Sequence, residues 1–242
     1  MTTLTKLADE AAAEALAFAD LLDETVDRHS PTPCEGWTID DLAAHVASGI
    51  FRDAESFHRA RLGTSTPPGE LALDSKDFAE AIRLGVDHLR DAVDRGPSPW
   101  PTVPMPFGGY PADVALQCLV IEFGVHRNDL AIARGDLQAP FSPATLEAMF
   151  GFGELYLLMQ AAPMGSGPIG FTVVAPSKTV AISWDGSAWS AGPGDGPQCR
   201  ITASDDAAAR LMLRRLDIFD PQISLDDPAG VADRFADAIR PL

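Results

Sequence analysis

A glutamate and a histidine lie four residues apart in an otherwise apolar run, VIEFGVHRND, from Val120 to Asp129. On a helix, Glu122 and His126 would project from one face, one turn apart, as two ligands of one metal ion require. Both would lie on the flank of the stripe that faces the core, where an isolated carboxylate must be protonated, paired or bound to a cation. A buried Glu–His pair without metal, or a helix rotated so that both groups reach water, are the alternatives.

A second histidine could join this pair from an earlier helix. Thr38 followed by Asp41 is typical of a capping box and predicts a helix that begins near Thr38 and ends near Arg61. On this helix His45 lies at the edge of the apolar stripe, among small neighbours that leave room. A histidine at such an edge is most often a half-buried residue without a ligand role, so its position alone does not make it a ligand.

Helical patterns dominate the first two thirds of the chain, and their spacing predicts a bundle of four long helices followed by a fifth. The approximate bounds are Leu4 to Arg28, Thr38 to Arg61, a cap at Asp74 or Ser75 to Arg95, Ala112 to Arg134, and Ser142 to Gln160. The proline-rich stretch from Pro97 to Tyr110 carries several large apolar side chains. We therefore expect it to be an ordered loop that covers one end of the bundle.

The pattern changes at Pro163, where short β-branched runs separated by turn residues replace helical spacing. Trp184 to Trp189 predicts a tight hairpin, a strand follows at about Gln198 to Thr202, and helices follow at about Asp205 to Leu216 and Pro228 to Ile239. We predict an α+β protein of two domains, with a helical bundle in residues 1–162 and a small α+β domain in residues 163–242.

Composition excludes several classes of function. The 18 basic and 35 acidic side chains give a net charge of −17, which disfavours binding to nucleic acid or to anionic membrane surfaces. The N-terminal residues do not follow the pattern of a signal peptide, and no apolar run is long enough to span a membrane. We expect a cytoplasmic protein whose three widely spaced cysteines, Cys34, Cys118 and Cys199, are reduced thiols that pack rather than react.

Two segments carry a resemblance to a known family. CEGWTIDDLAAH, from Cys34 to His45, and EFGVHRNDLAIARG, from Glu122 to Gly135, resemble motifs of the mycothiol-dependent maleylpyruvate isomerase family. Members of this family are built on a DinB-like metal-binding four-helix bundle, and the two motifs supply its metal ligands. The resemblance implies that His45, Glu122 and His126 bind the metal. Glu35, where members commonly carry proline, departs from the pattern in the turn and not at a ligand.

The resemblance also implies supporting residues. Family members often carry a C-terminal domain that resembles sterol-carrier proteins, and ITASDDAAARLMLRRLD resembles its strand–helix segment that ends in an arginine. Arg214 or Arg215 would then bind a substrate carboxylate across the domain gap, although adjacent arginines at a helix end are usually solvated. Asp129 could accept a hydrogen bond from a ligand imidazole and fix its tautomer. Arg127 is expected to be a surface or inter-domain ion-pair residue.

Two imidazoles and one carboxylate would leave a divalent ion, with zinc as the expected metal, positively charged and with an open position. An external thiol could bind there as a thiolate, because the cation lowers its pKa. In the family this thiol is mycothiol, which implies a metal-dependent isomerase or S-transferase that acts on a small electrophile resembling maleylpyruvate. One alternative is a metal-dependent hydrolase that uses bound water. The other is a non-catalytic protein that binds an apolar ligand and whose metal only holds the bundle together.

Overall fold

The computed structural model describes residues 3–69, 71, 73, 77–97, 99–165 and 167–240. The chain divides into two compact units, Met1–Thr145 and Leu146–Leu242, and the division falls inside the fifth helix. Helices form the first unit and a sheet with short helices forms the second, so the predicted α+β fold class is confirmed. The assignment of domains with a boundary after residue 162 stays a prediction. Within the described ranges, every helix is too short or too polar to span a membrane.

Four helices form the bundle of the first unit. They are α1 (Thr3–Asp23), α2 (Ile39–Arg61), α3 (Phe78–Asp94) and α4 (Ala112–Ala133), and α5 (Pro143–Gln160) begins after them. Helix α1 packs against α3 and α4, and α2 packs against the same two helices. Phe18, Phe57 and Phe123 are fully buried in this core. Because α4 contacts both α1 and α2, it is apolar around most of its surface.

In the first unit the end of α1 departs from the predicted helix boundary, and the start of α3 can be compared only in part. Helix α1 ends at Asp23 rather than near Arg28, because Thr25 and Val26 are poor helix formers and Asp27 accepts bonds from the His29 backbone and the Ser30 hydroxyl, which make a turn. The predicted caps of α3, Asp74 and Ser75, lie outside the described residues. In the described residues Asp77 caps α3 through a hydrogen bond from the backbone N–H of Glu80.

The capping box at the start of α2 is confirmed. The Thr38 hydroxyl accepts a hydrogen bond from the Asp41 backbone N–H at 3.3 Å, and the Asp41 carboxylate accepts one from the Thr38 backbone N–H at 2.9 Å. Thr38 is therefore the N-cap, and the first helical residue is Ile39. This boundary sets the rotation of α2 and so the direction in which His45 projects.

From residue 99 onwards the proline-rich loop is ordered, as predicted, and it contains two short strands that the sequence pattern did not predict; Ser98 lies outside the described residues. Strands β1 (Val103–Met105) and β2 (Gly108–Tyr110) form an antiparallel hairpin. Strand β1 is fully buried and packs against α2 and α4, and the Trp100 ring meets Phe57 edge to face at 5.5 Å between centroids. The prolines exclude a helix here, and burial of the apolar side chains holds the loop on the bundle.

A five-stranded sheet forms the second unit. Its strands are β3 (Ile169–Val174), β4 (Thr179–Trp184), β5 (Trp189–Ala191), β6 (Gln198–Thr202) and β7 (Ser224–Asp226), in the order β5-β4-β3-β6-β7. Strands β3 and β6 are parallel and the other pairs are antiparallel. The predicted hairpin is confirmed by the pairing of Trp184 with Trp189. The parallel pair requires a crossover connection, which β4 and β5 supply.

Two predictions for the end of the chain need correction. Helix α6 (Asp205–Met212) ends before Leu216, because Arg214 turns to φ 60° and its N–H and that of Arg215 bond back to the carbonyls of Leu211 and Arg210. This is the Schellman pattern that terminates helices. The predicted helix at Pro228 to Ile239 is wrong: within it the structure has a single 3-10 turn and the four-residue α7 (Phe235–Ala238). Strand β7, which precedes this segment, was not predicted.

Candidate metal centre

The three predicted metal ligands meet between α2 and α4. The Nε2 atom of His45 lies 2.9 Å from Oε1 of Glu122, and the Nε2 atom of His126 lies 3.3 Å from the same oxygen. One donor atom from each residue lies within 4.8 Å of the other two. Two imidazole nitrogens and one carboxylate oxygen are the donor set of catalytic zinc sites. The side chains therefore fit a divalent cation by chemistry and by separation.

The cluster is buried on one side and accessible on the other. The His126 side chain is 5% exposed, whereas those of Glu122 and His45 are 27% and 31% exposed. The two imidazole rings meet edge to face, with centroids 5.0 Å apart. A small molecule can thus approach the cluster past His45 and Glu122, while His126 is held in the core.

The charges in the cluster are strongly coupled. Burial raises the pKa of Glu122, but the charges and hydrogen bonds of His126 and His45 outweigh it and hold that pKa well below its ordinary value. Burial lowers the pKa of His126, but the Glu122 charge and the hydrogen bond to Asp129 raise it well above its ordinary value. A cation that binds these side chains must therefore displace a proton from the imidazole.

Asp129 lies directly behind His126, as predicted. Its Oδ2 atom is 3.2 Å from Nδ1 of His126, and Asp129 is fully buried. The same oxygen accepts a hydrogen bond from the Cys34 thiol at 3.3 Å. A carboxylate can only accept hydrogen bonds, so Nδ1 carries the proton and Nε2 is directed at Glu122. The contact required for the predicted role of Asp129 is therefore present.

Two residues of the turn before α2, Cys34 and Trp37, belong to the site, although only packing was predicted for Cys34. The Trp37 ring lies 4.9 Å from the His45 ring and 6.5 Å from the His126 ring, between centroids. Cys34 reaches Asp129 as described above. Both residues lie in the segment that resembles the family motif, and this was the signal available in the sequence.

A buried carboxylate near the cluster, that of Asp53, was also not predicted from the sequence. Asp53 lies on α2 and is 2% exposed. Burial raises its pKa to about 7; Arg52 opposes this shift and the Glu122 charge adds to it. Asp53 follows His45 by two helical turns, so the available signal was an acidic residue on the face of α2 that carries the histidine.

The cysteine on α4 is not a candidate nucleophile. Burial, together with the charges of Glu122 and Asp53, raises the pKa of the Cys118 thiol to about 12. Its thiolate is therefore not populated near neutral pH. Burial likewise raises the pKa of Cys199, in the second unit, to about 11.

Arg127, which follows the ligand His126, has a structural position. Its Nε atom lies 2.9 Å from Oε2 of Glu14 on α1, and Glu14 is 4% exposed. Glu14 also accepts hydrogen bonds from the hydroxyls of Ser142 and Thr145. Arg127 is thus an ion-pair residue, but the predicted surface or inter-domain location is wrong, because its partner is buried within the first unit.

The two predicted substrate-binding arginines lie just after α6 in the second unit. Arg214 has a φ of 60°. Among the described residues, no other non-glycine residue has a positive φ. This conformation belongs to the Schellman pattern that ends α6. The Nε atom of Arg214 is buried and has no hydrogen-bond partner within the described part of the chain. Arg215 lacks the positive φ.

Comparisons with known proteins agree with this geometry. The sequence profile described as the mycothiol maleylpyruvate isomerase N-terminal domain matches residues 8–131. A crystal structure of a histidine-to-alanine mutant of the mycothiol-dependent maleylpyruvate isomerase has a TM-score of 0.67 at 17% identity, and covers 93% of this chain and 96% of that chain. A second crystal structure of that isomerase has a TM-score of 0.60 at 18% identity, with the same coverage. No curated protein matches the sequence.

At these identities the two crystal structures show the fold, which agrees with the two units described above. The profile covers α2 and most of α4, including all three candidate ligands. The predicted family, and with it the assignment to a family of enzymes, is confirmed. The chain belongs to the mycothiol maleylpyruvate isomerase family, whose N-terminal domain it carries in residues 8–131.

Proposed function

We propose that this protein is a metal-dependent enzyme that uses mycothiol to isomerise a small electrophile resembling maleylpyruvate, or to transfer the thiol to such an electrophile. The proposal rests on one observation: the Nε2 atoms of His45 and His126 lie 2.9 Å and 3.3 Å from the same Glu122 oxygen, Oε1. Family membership supports mycothiol as the thiol and isomerisation as the reaction class.

The three side chains would hold a divalent cation, for which we propose zinc. When bound, this cation supplies the positive charge that lowers the pKa of a thiol at the site. Asp129 keeps the proton of His126 on Nδ1 and so leaves Nε2 free for the cation. The Glu122 carboxylate neutralises one positive charge, and the Trp37 ring shields both imidazoles.

The reacting thiol comes from outside the chain. Cys118 is one helical turn from Glu122, but its raised pKa keeps it protonated, and Cys34 is engaged with Asp129. In the isomerisation, the thiolate of mycothiol adds to one carbon of the cis double bond and the electron pair moves into the neighbouring carbonyl. The remaining single bond rotates, the electron pair returns, and the thiolate leaves from the trans product. In a transfer reaction the thiol stays on the electrophile.

We further propose that Arg214, rather than Arg215, binds a carboxylate of the substrate. Support comes from the Nε atom of Arg214, which is buried and has no hydrogen-bond partner within the described residues. A guanidinium binds a carboxylate through two parallel hydrogen bonds, which would satisfy this nitrogen.

Metal analysis is the primary test. Purified protein, loaded with zinc and dialysed, should hold about one equivalent, and His126→Ala should lose it. His88→Ala is the matched control, because His88 is an exposed histidine on α3 and its loss should leave the metal content unchanged. Full metal retention by His126→Ala would overturn the ligand assignment.

Thiol dependence tests the second half of the proposal. In cobalt-substituted protein, mycothiol should produce a sulfur-to-cobalt charge-transfer band in the near ultraviolet, with a thiol pKa below about 7.5 compared with about 8.5 for a free thiol. Turnover of maleylpyruvate should require the added thiol. If turnover proceeds equally without thiol, a hydrolase that uses bound water becomes the better assignment.

A further inference from the structure

We propose that Arg52 is a specificity-determining residue that binds a carboxylate of the electrophile beside the metal cluster, with Asp53 as the residue that positions it. This inference rests on the proposed function, because it assumes that an electrophile reacts at His45, Glu122 and His126. It adds a recognition site on α2 itself, within the bundle.

The placement of Arg52 follows from helical geometry. Arg52 comes seven residues after His45, so the two side chains project within about 20° of each other. The guanidinium folds back towards His45, because a Cβ atom placed on Gly49 would lie 3.7 Å from Nη2 of Arg52. Gly49 is one turn beyond His45, roughly 6 Å along the axis. The charged group of Arg52 therefore lies closer to the cluster than its own backbone does.

Asp53 provides a buried anchor beneath this guanidinium. The Nε atom of Arg52 lies 3.5 Å from Oδ1 of Asp53, a contact too long for a good hydrogen bond. Within the described ranges of the chain, both atoms are buried and neither has a hydrogen-bond partner. Asp53 is 2% exposed, whereas the Arg52 side chain is 22% exposed. The pair is thus held together by charge, and the outer part of the guanidinium reaches solvent.

The outer nitrogen atoms of the Arg52 guanidinium suit an anionic ligand. The buried Nε atom faces Asp53, which leaves the two Nη atoms for a carboxylate that binds through a bidentate pair. The protein carries a net charge of −17, so an anion can bind only where local positive charge outweighs the general repulsion.

Calorimetric titration of the metal-loaded protein tests this assignment. Wild-type protein and the Arg52→Met variant are titrated with maleate, a small dicarboxylate, and with azide, a small anion that binds open metal positions. Loss of a charge-assisted bidentate pair should weaken maleate binding about tenfold or more, while azide affinity and the metal content stay within twofold. Arg52→Lys should restore part of the maleate affinity.

Arg90→Met serves as the matched control, because Arg90 lies on α3 and pairs with Asp9 on the surface. It should leave the maleate affinity unchanged. The Asp53→Asn variant should weaken maleate binding less than Arg52→Met does, because it releases the guanidinium without removing it. The inference is overturned if wild-type protein does not bind maleate, or if Arg52→Met weakens maleate and azide equally. If the protein holds no cation, the proposed function fails, and maleate titration of the isolated protein still decides whether Arg52 binds a carboxylate.

Discussion

Cys34 and Asp129 are 95 positions apart in the sequence, yet the Cys34 thiol donates a hydrogen bond to Oδ2 of Asp129 at 3.3 Å. The same oxygen faces Nδ1 of the candidate ligand His126 at 3.2 Å. The turn before α2 and the last turns of α4 are thereby joined through one buried carboxylate. This arrangement orients the imidazole before any cation binds, which is the role of hydrogen-bonded neighbours in metal sites generally.

Replacement of Asp129 by asparagine should weaken metal binding by about 10–100-fold. The amide keeps the shape of the side chain, but it removes the negative charge that favours the Nδ1–H tautomer. Competition with a chromogenic chelator measures the affinity. Asp113→Asn, at the exposed start of α4, is the control and should bind metal as wild-type protein does. Equal affinity of the Asp129→Asn protein and the control would show that Asp129 does not support the ligand.

Removal of the metal should leave the bundle folded. The apolar faces of α1 to α4 bury Phe18, Phe57 and Phe123 in a core, so hydrophobic burial supplies most of the stability. A chelated sample should keep most of its helical circular dichroism while it loses metal-dependent activity. Loss of the helical circular dichroism on chelation would instead indicate that the metal has only a structural role in the bundle.

The capping box of α2 should make stability depend on pH in the acid range. Hydrogen bonds from the Thr38 side chain and backbone lower the pKa of Asp41 below its ordinary value of 3.8. The unfolded chain then binds a proton at higher pH than the folded chain, so the contribution of Asp41 is complete above that value and is lost as pH falls through the lowered pKa.

The Asp41→Asn variant should therefore be less stable than wild-type protein at pH 7, and the difference should shrink as the pH is lowered below about 4. Urea denaturation at a series of pH values measures it. Asp40→Asn removes the same charge from the same first turn, outside the capping box, and should show a smaller difference at pH 7. A difference for Asp41→Asn that is constant between pH 3 and pH 7 would contradict the assignment.

Loss of Glu14 should destabilise the bundle. Glu14 is 4% exposed and pairs with Arg127, while Thr145 donates a hydrogen bond to it at 3.0 Å. Glu14→Ala leaves the guanidinium and this hydroxyl without their partner, and removal of one member of a buried pair costs about 3–5 kcal/mol. Arg127 is partly exposed, so the lower end of that range is expected in urea denaturation.

Glu10→Ala, one turn earlier on α1, is the matched control for this prediction. Glu10 pairs with Lys6 at 3.1 Å near the surface, and such pairs contribute no more than about 1 kcal/mol. Similar losses for the two variants would show that Glu14 contributes no more than a surface charge does.

Local signals in the sequence were sufficient for the elements that carry the site. The capping box at Thr38 placed the start of α2, and the apolar period of α4 placed Glu122 and His126 on one face. The hairpin between Trp184 and Trp189 and strand β6 were likewise predicted where they occur. Each of these features depends on residues only a few positions apart, because helix periodicity, capping and tight turns are set by neighbouring side chains.

Contacts between distant segments could not be predicted in this way. The pairing of Cys34 with Asp129, the position of the Trp37 ring and the burial of Asp53 depend on how α2 packs against α4. Strand β7 forms because it pairs with the edge of β6. The residues after β7, which resembled one long helix, form only a 3-10 turn and the four-residue α7. Helical propensity is a weak preference that tertiary packing overrides. The ligands could therefore be identified from motifs, whereas the groups that surround them were determined by packing between helices far apart in the chain.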